Sequence, residues 1–325
     1  MKKAYLWIFW IGLVIVLILF PKIVGIYYTN FFIAFAIMAV YSQSINIELG
    51  YTRILNFGHA MFFGMGGYSA AQALSLIPGM PIWGAVLCGL LGGLVLAALL
   101  APLVVRVSGM ACAMLHVAFN ALFFMLAMKV RPLTGGEDGI SGFPIPPLNI
   151  AGLISIDMKD PVNFYYFATA VLGLSLWLMW YFTKTPFGQV MIAIRDNPKR
   201  VNYLGFKVPE SKALVYIVGG AFAGVSGSVY ALFQNLFSSD ATSGLNSFQP
   251  ILMTMIGGIG TFIGPIIGSA FFSIVEEVAR HYTDRVELVM GVTLIIVILF
   301  APMGFMGFYR KLKAKWGKAP SLPKI

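Results

Sequence analysis

Apolar residues in this chain gather into long runs separated by short polar connections, at about 4–20, 28–48, 58–77, 82–105, 111–128, 163–182, 213–236, 249–275 and 286–303. A helix that crosses a bilayer needs about 20 apolar residues at a rise of about 1.5 Å each, and most of these runs reach that length. None alternates apolar and polar positions as a barrel strand must, so helices are the remaining solution for backbone surrounded by lipid. The pattern predicts an all-α fold: a polytopic transmembrane helical bundle of about eight spans, plus a broken re-entrant segment near 255–268. No polar stretch is long enough to bury a core of its own, so residues 1–325 are expected to form one membrane domain.

Composition agrees with this reading. Of the 325 residues 59% are hydrophobic and only 10% charged, with a mean hydropathy of +0.86, outside the range of a soluble domain. The net charge of +10 does not mark a nucleic-acid surface, because Lys and Arg are scattered between apolar runs and at both ends, as in cytoplasmic loops. Lys2 and Lys3 precede the first run, which ends in Phe20, Pro21 and Lys22 without a small-residue cleavage site and is read as an uncleaved first span. Cys88 and Cys112 lie inside apolar runs without CxxC spacing and are read as packing residues, with no metal site implied.

The charges also set an expected sidedness. With Lys2 and Lys3 inside, Arg53 and Arg106 return to the inner face and the connection 129–162 lies outside, where Lys129, Arg131 and Lys159 meet Glu137, Asp138, Asp157 and Asp160. The connection 183–212 carries Lys184, Arg195, Lys199, Arg200, Lys207 and Lys212 against Asp196 and Glu210. The tail 306–325 has six basic residues between Arg310 and Lys324 and no acid. Both segments, and hence both termini, are expected in the cytoplasm. Three apolar runs remain between 213 and 306, and an odd number of crossings cannot leave the cytoplasm and return to it. The middle run is interrupted by Gly257, Gly258, Gly260, Gly264 and Pro265, which weaken or break a helix interior. Two half-helices in a re-entrant hairpin are predicted, with an ordinary kinked helix as the alternative; the hairpin returns Glu276, Glu277, Arg280, Asp284, Arg285 and Glu287 to the outer face. Irregular backbone at membrane depth is tolerated only inside protein or beside a water-filled cavity, so 255–268 is a candidate pathway lining.

Within the basic connection, "NPKRVNYLG" reads as a short helix with both ends marked. Asn197 is a suitable N-cap, Pro198 a suitable first residue, and Gly205 can take the left-handed conformation that ends a helix of about two turns, roughly 10 Å long. Before it, Phe187, Val190, Met191 and Ile194 form an apolar stripe at helical spacing that would keep the approach packed on the membrane domain. A helix displayed in this way suits docking in a groove of a soluble partner; the plainer reading is a positive-inside loop lying on the lipid surface.

Four segments carry a family resemblance. "FGQVMIAIRDNPKRVNYLGFKV" resembles the cytoplasmic loop FGRxxxAIRDN, with its later LG pair, of LivM-type permeases of ATP-binding-cassette importers for branched-chain amino acids. "GYTRILNFGHAMFFGMGGYSAA", "TGGEDGISGFP" and "IGGIGTFIGPIIGSA" are similar to the same family's GYxGxxSxGHAxFxGxGAY, TGGxxGLxGIP and GGxGTxxGPxxGA segments, in the same order. Arg53 stands where Gly is usual, and Asn56 where Ser is usual. The resemblance implies half of an importer pathway, with a LivH-like second permease subunit, two ATPase subunits that hold ATP and Mg, and a periplasmic solute-binding protein, in a bacterial inner membrane. The chain itself has no GxxxxGK[ST] phosphate loop, so ATP would act through a partner.

The coupling residues expected on this basis are Arg195, Asp196, Asn197, Lys199, Arg200, Leu204 and Gly205. Candidate pathway residues are Asn56, His59, Gly66, Gly257, Gly258, Gly260, Thr261 and Pro265; in the outer loop they are Thr134, Gly135, Gly136 and Asp138. Glu48 and Arg53 are read as an interfacial ion pair and His116 as a core residue. The expected solutes are Leu, Ile and Val, with urea, short amides or aromatic acids as alternatives within the family. A stand-alone secondary transporter or channel is the second reading. A membrane enzyme would need clustered His, Asp or Glu, and the three histidines are scattered.

Overall fold

The computed structural model describes residues 16–150, 154–300 and 304–307. The start of the first expected span and the basic tail from 308 onward lie outside the described residues. Residues 16–24 are helical. The helices that follow are α1 Ile26–Thr52, α2 Ala60–Leu76, α3 Ile82–Val104, α4 Met110–Lys129, the single turn α5 Arg131–Thr134, α6 Pro161–Lys184, α7 Pro186–Asp196, α8 Pro198–Tyr203, α9 Val208–Gln234, α10 Gly244–Gly257, α11 Ile263–Tyr282 and α12 Val286–Phe300. Five of them, α1, α3, α4, α6 and α9, are long and apolar enough to cross a membrane. The chain is a multi-pass helical membrane protein. Among the described residues, which hold only part of the first expected span, the expected count of about eight spans is not reached by that measure: α2 has 17 residues, α10 has 14 and α12 has 15.

The bundle is apolar outside and small inside, the inverse of a soluble protein. Along α3, Leu87, Leu91, Val95, Leu99 and Leu103 recur every four residues and are all exposed, while Gly89, Gly92 and Gly93 face the interior. Lipid offers no hydrophobic drive for helix association, so close backbone approach must supply the contact. It does so where α9 meets α2 and α3: a Cβ on Gly66 would run into the Gly224 carbonyl, and one on Gly93 into the Gly220 carbonyl. Ser226 Oγ then donates to the Ile37 carbonyl at 2.7 Å and ties α9 to α1.

The two ends of the bundle differ in charge. Arg53, Val104, Val105, Ser108 and Lys212 border one small pocket, so the loops after α1 and α3 and the start of α9 share a basic end with α7 and α8. At the opposite end, β1 Ile140–Ser141 pairs antiparallel with β4 Leu236–Phe237, and Gln72 Nε2 donates to the Leu133 carbonyl at 2.6 Å. β2 Leu148–Ile150 pairs antiparallel with β3 Ile154–Ile156 in a separate two-stranded sheet.

After α9 the chain turns back into the bundle. The 3-10 turn Ser239–Thr242 reaches the middle of α4, where Asn120 Nδ2 donates to the Thr242 carbonyl at 3.2 Å. From there α10 runs to the basic end, the chain turns through 258–262, and α11 returns. A Cβ on Gly257 would meet the Gly264 carbonyl, and one on Gly268 the Met253 carbonyl, the register of two antiparallel helices. The break expected near 255–268 is therefore present, but only α10 is a half-helix; α11, with 20 residues, spans about 30 Å. The irregular backbone at depth is the segment before α10, which sequence reading did not single out. Past α12, Gly304 packs against Gly258, so the chain leaves the described residues near the hairpin turn.

Two stability changes follow. Gly224→Leu is expected to cost at least about 3 kcal/mol by forcing α9 off α2 and α3, whereas Gly173→Leu, which meets open space, stays within about 0.5 kcal/mol; thermal unfolding of the solubilised chain measures both. Arg53 ends α1 at φ 57°, a left-handed conformation that disfavours a residue with a Cβ, so Arg53→Gly is expected to gain about 1 kcal/mol in the same assay.

Candidate functional site

The second half of α1 is an apolar span into which Ser42, Gln43, Ser44, Asn46 and Glu48 have been set, all buried. Helical spacing divides most of them between two faces. Ser44 and Glu48, four residues apart, meet the start of α2; Ser42, Asn46 and Gly50, again at steps of four, meet the α10–α11 hairpin.

On the first face, Asn56 Nδ2 lies 2.9 Å from Glu48 Oε2 and 3.1 Å from His59 Nδ1, and His59 Nε2 lies 2.7 Å from Ser44 Oγ. An amide that donates to Nδ1 leaves the imidazole proton on Nε2, which then donates to Ser44; the Ser44 hydroxyl in turn donates to the Tyr41 carbonyl at 2.7 Å. The Tyr41 ring stacks on His59 with centroids 5.5 Å apart. Glu48 Oε1 has no hydrogen-bond partner among the described residues. The expected Glu48–Arg53 ion pair is not formed: Glu48 is fully buried and Arg53 exposed. Five residues along a helix place two side chains on different faces, and only three or four bring them together.

On the second face, the Asn46 side chain holds the hairpin turn. Its Oδ1 accepts from the Gly260 N–H at 3.0 Å and its Nδ2 donates to the Thr261 carbonyl at 3.0 Å. Ser42 Oγ donates to the Pro265 carbonyl at 3.3 Å, and Thr254 Oγ1 donates to the Ser42 carbonyl at 3.0 Å. Gly257 and Gly258 complete the turn. Gly66 stands apart from both groups, in the α2–α9 contact.

At the basic end, α8 is capped by Asn197 Oδ1, which accepts from the Arg200 N–H at 3.0 Å, and is followed by Gly205 at φ 89°. Met191 and Ile194 of α7 are buried, while Asp196, Asn197, Lys199, Arg200, Leu204 and Gly205 are exposed. Tyr203 is 87% and Leu204 70% exposed, a large apolar surface for a segment with this much charge. Arg195 behaves differently: it reaches inward, and its Nη1 donates to the Gly50 carbonyl at 3.2 Å, beside Gly260. In the connection 129–162, Thr134 Oγ1 accepts from the Gly136 N–H at 3.2 Å, Gly135 and Gly136 have positive φ, and Asp138 is exposed.

A cavity of about 340 Å³ opens at the opposite end, between α1, α2, α9, α10 and α11. Met38, Tyr41 and Phe63 form its floor, and Gln249, Glu276 and Arg280 stand nearer its mouth. None of the pathway residues expected from sequence lines it.

A family model for the permease component of branched-chain amino acid transport systems matches residues 27–301. The chain belongs to this permease family. The permease is 26% identical over 306 residues to the high-affinity branched-chain amino acid transport system permease protein LivM of Escherichia coli, covering 87% of this chain and 71% of the relative. It is 25% identical to the probable branched-chain amino acid transport permease protein LivM of Methanocaldococcus jannaschii, over 79% of this chain and 83% of the relative. The E. coli permease protein LivH is matched at 23% identity, over 80% and 90% of the two chains. No solved structure matches the permease.

Sequence reading found Asn56 and His59 but passed over Ser42, Ser44 and Asn46, although five polar residues inside one apolar span, four of them in pairs at steps of four, are a legible signal. Their weight in the permease can be measured. Glu48→Gln keeps an acceptor for Asn56 and is expected to be tolerated, whereas Asn46→Leu strands the Gly260 N–H and the Thr261 carbonyl, at about 1–3 kcal/mol each. Thermal unfolding and amide exchange at 258–262 are expected to separate the two variants.

Proposed function

We propose that the permease is the LivM-like half of an ATP-driven importer of branched-chain amino acids. In this reading it pairs with a LivH-like subunit in a bacterial inner membrane, with both termini cytoplasmic. Two ATPase subunits holding ATP and Mg dock on its basic end, and a periplasmic binding protein delivers solute to the opposite end. The family match over most of the chain supports the permease role. What carries the ATP-driven reading is α8: a capped two-turn helix whose apolar Tyr203 and Leu204 are left in the open amid basic residues. Such a surface suits a groove in a soluble subunit better than water or lipid headgroups alone.

The exposed Asp196, Asn197, Lys199, Arg200, Leu204 and Gly205 would meet the ATPase, and Arg195 would pass its movement to Gly50 and the hairpin turn. Gly257, Gly258, Gly260, Thr261 and Pro265 would then form the inner closure of the pathway, with Asn56 and His59 bracing α1 against α2 and Gly66 holding α2 on α9. Thr134, Gly135, Gly136 and Asp138 would border the delivering protein.

Arg200→Glu combined with Leu204→Glu alters only exposed positions, so membrane insertion and thermal stability are expected to stay unchanged while ATPase co-purification and leucine uptake fall at least about tenfold. Full assembly and uptake by this variant, or leucine transport by the permease reconstituted without ATPases, would remove the proposal.

A further inference from the structure

We infer that the cavity at the opposite end is a solute site on this chain itself, built to hold the zwitterion of an α-amino acid with an apolar side chain; the choice of leucine as probe rests on the transport reading above. Its volume of about 340 Å³ lies at the small end of ligand pockets, the size for a metabolite and not for a peptide. The floor is apolar in practice as well as in composition. Tyr41 and Phe63 are 2% and 4% exposed, and the Tyr41 hydroxyl is already directed to the Asn246 carbonyl at 3.3 Å, leaving ring carbons toward the space. A branched aliphatic side chain has matching chemistry there, and a charged one would be stranded without a partner.

The mouth supplies the polar half. Glu276 and Arg280, one helical turn apart on α11, form an ion pair with Nη2 and Oε1 2.6 Å apart, and both border the cavity. Glu277 is separately engaged, accepting from the Tyr27 hydroxyl. Arg280 is 62% and Glu276 28% exposed, so their pair is screened and readily exchanged. The ammonium and carboxylate of an α-amino acid are carried by a single carbon, as close together as the halves of that pair. The zwitterion can therefore replace one internal pair by two external ones, ammonium to Glu276 and carboxylate to Arg280, with its side chain on the floor. An amine without the carboxylate, or an acid without the amine, breaks the pair and leaves one half unmatched.

The test is equilibrium binding of radiolabelled L-leucine to the assembled membrane complex in nanodiscs, without any solute-binding protein, alongside uptake by the same complex. Saturable binding is expected, with 3-methylbutylamine and 4-methylpentanoate competing at least about tenfold more weakly than leucine. Arg280→Gln is expected to weaken leucine by about tenfold or more while leaving 3-methylbutylamine as tight or tighter, because its ammonium then meets Glu276 without breaking an ion pair, a split that a structural defect would not produce. Ala34→Trp, which fills the cavity from α1, is expected to abolish binding with assembly retained. Equal competition by the amine or the acid, leucine binding unchanged in both variants, or no saturable binding by a complex that transports leucine would each overturn the site. If leucine binds as described but is not transported, the site stands and the transport reading falls.

Discussion

Backbone packed inside a helical bundle has to find its hydrogen bonds within the protein, and a chain that turns there must provide them from elsewhere. In this permease the provider from α1 to the turn is Asn46, whose amide presents an acceptor to the Gly260 N–H and a donor to the Thr261 carbonyl. A neutral amide offers both roles at the reach of one Cγ, which accounts for a strongly polar residue in the buried half of an apolar span. Ser42 and Thr254 extend the same service along the hairpin. With its turn satisfied, the α10–α11 pair packs on α1.

Those satisfied breaks make room for function. Because the chain enters the bundle irregularly at Ser239–Thr242, α10 begins near mid-depth beside Tyr41, and space remains above it. That space is the cavity between α1 and α11. The glycine contacts of α9 with α2 and α3 anchor the rest of the bundle around it, so the permease joins a tightly packed half to a looser hairpin half.

Much of this could be read from residue patterns. The apolar runs gave the helices, the Asn197, Pro198 and Gly205 signals gave α8, and the glycines and Pro265 gave the hairpin turn, because each acts through local geometry. The Glu48–Arg53 pairing failed because proximity in sequence was taken for proximity on a helix face. The cavity was illegible for a different reason: Met38, Phe63, Gln249 and Glu276 come from separate elements, and only tertiary packing makes them neighbours. Gly66 shows the converse case, a residue whose motif suggested a pathway but whose neighbours are helix backbones.

Arg195 gives the basic end a direct mechanical consequence. Its guanidinium rests on the last turn of α1 and beside the hairpin turn at the same time. A shift of α7 by the length of one hydrogen bond must therefore either drag both structures with it or let go of both. The loop and the two membrane elements form a linkage in which the buried Met191 and Ile194 keep α7 on the bundle and Arg195 ties its end to the last turn of α1.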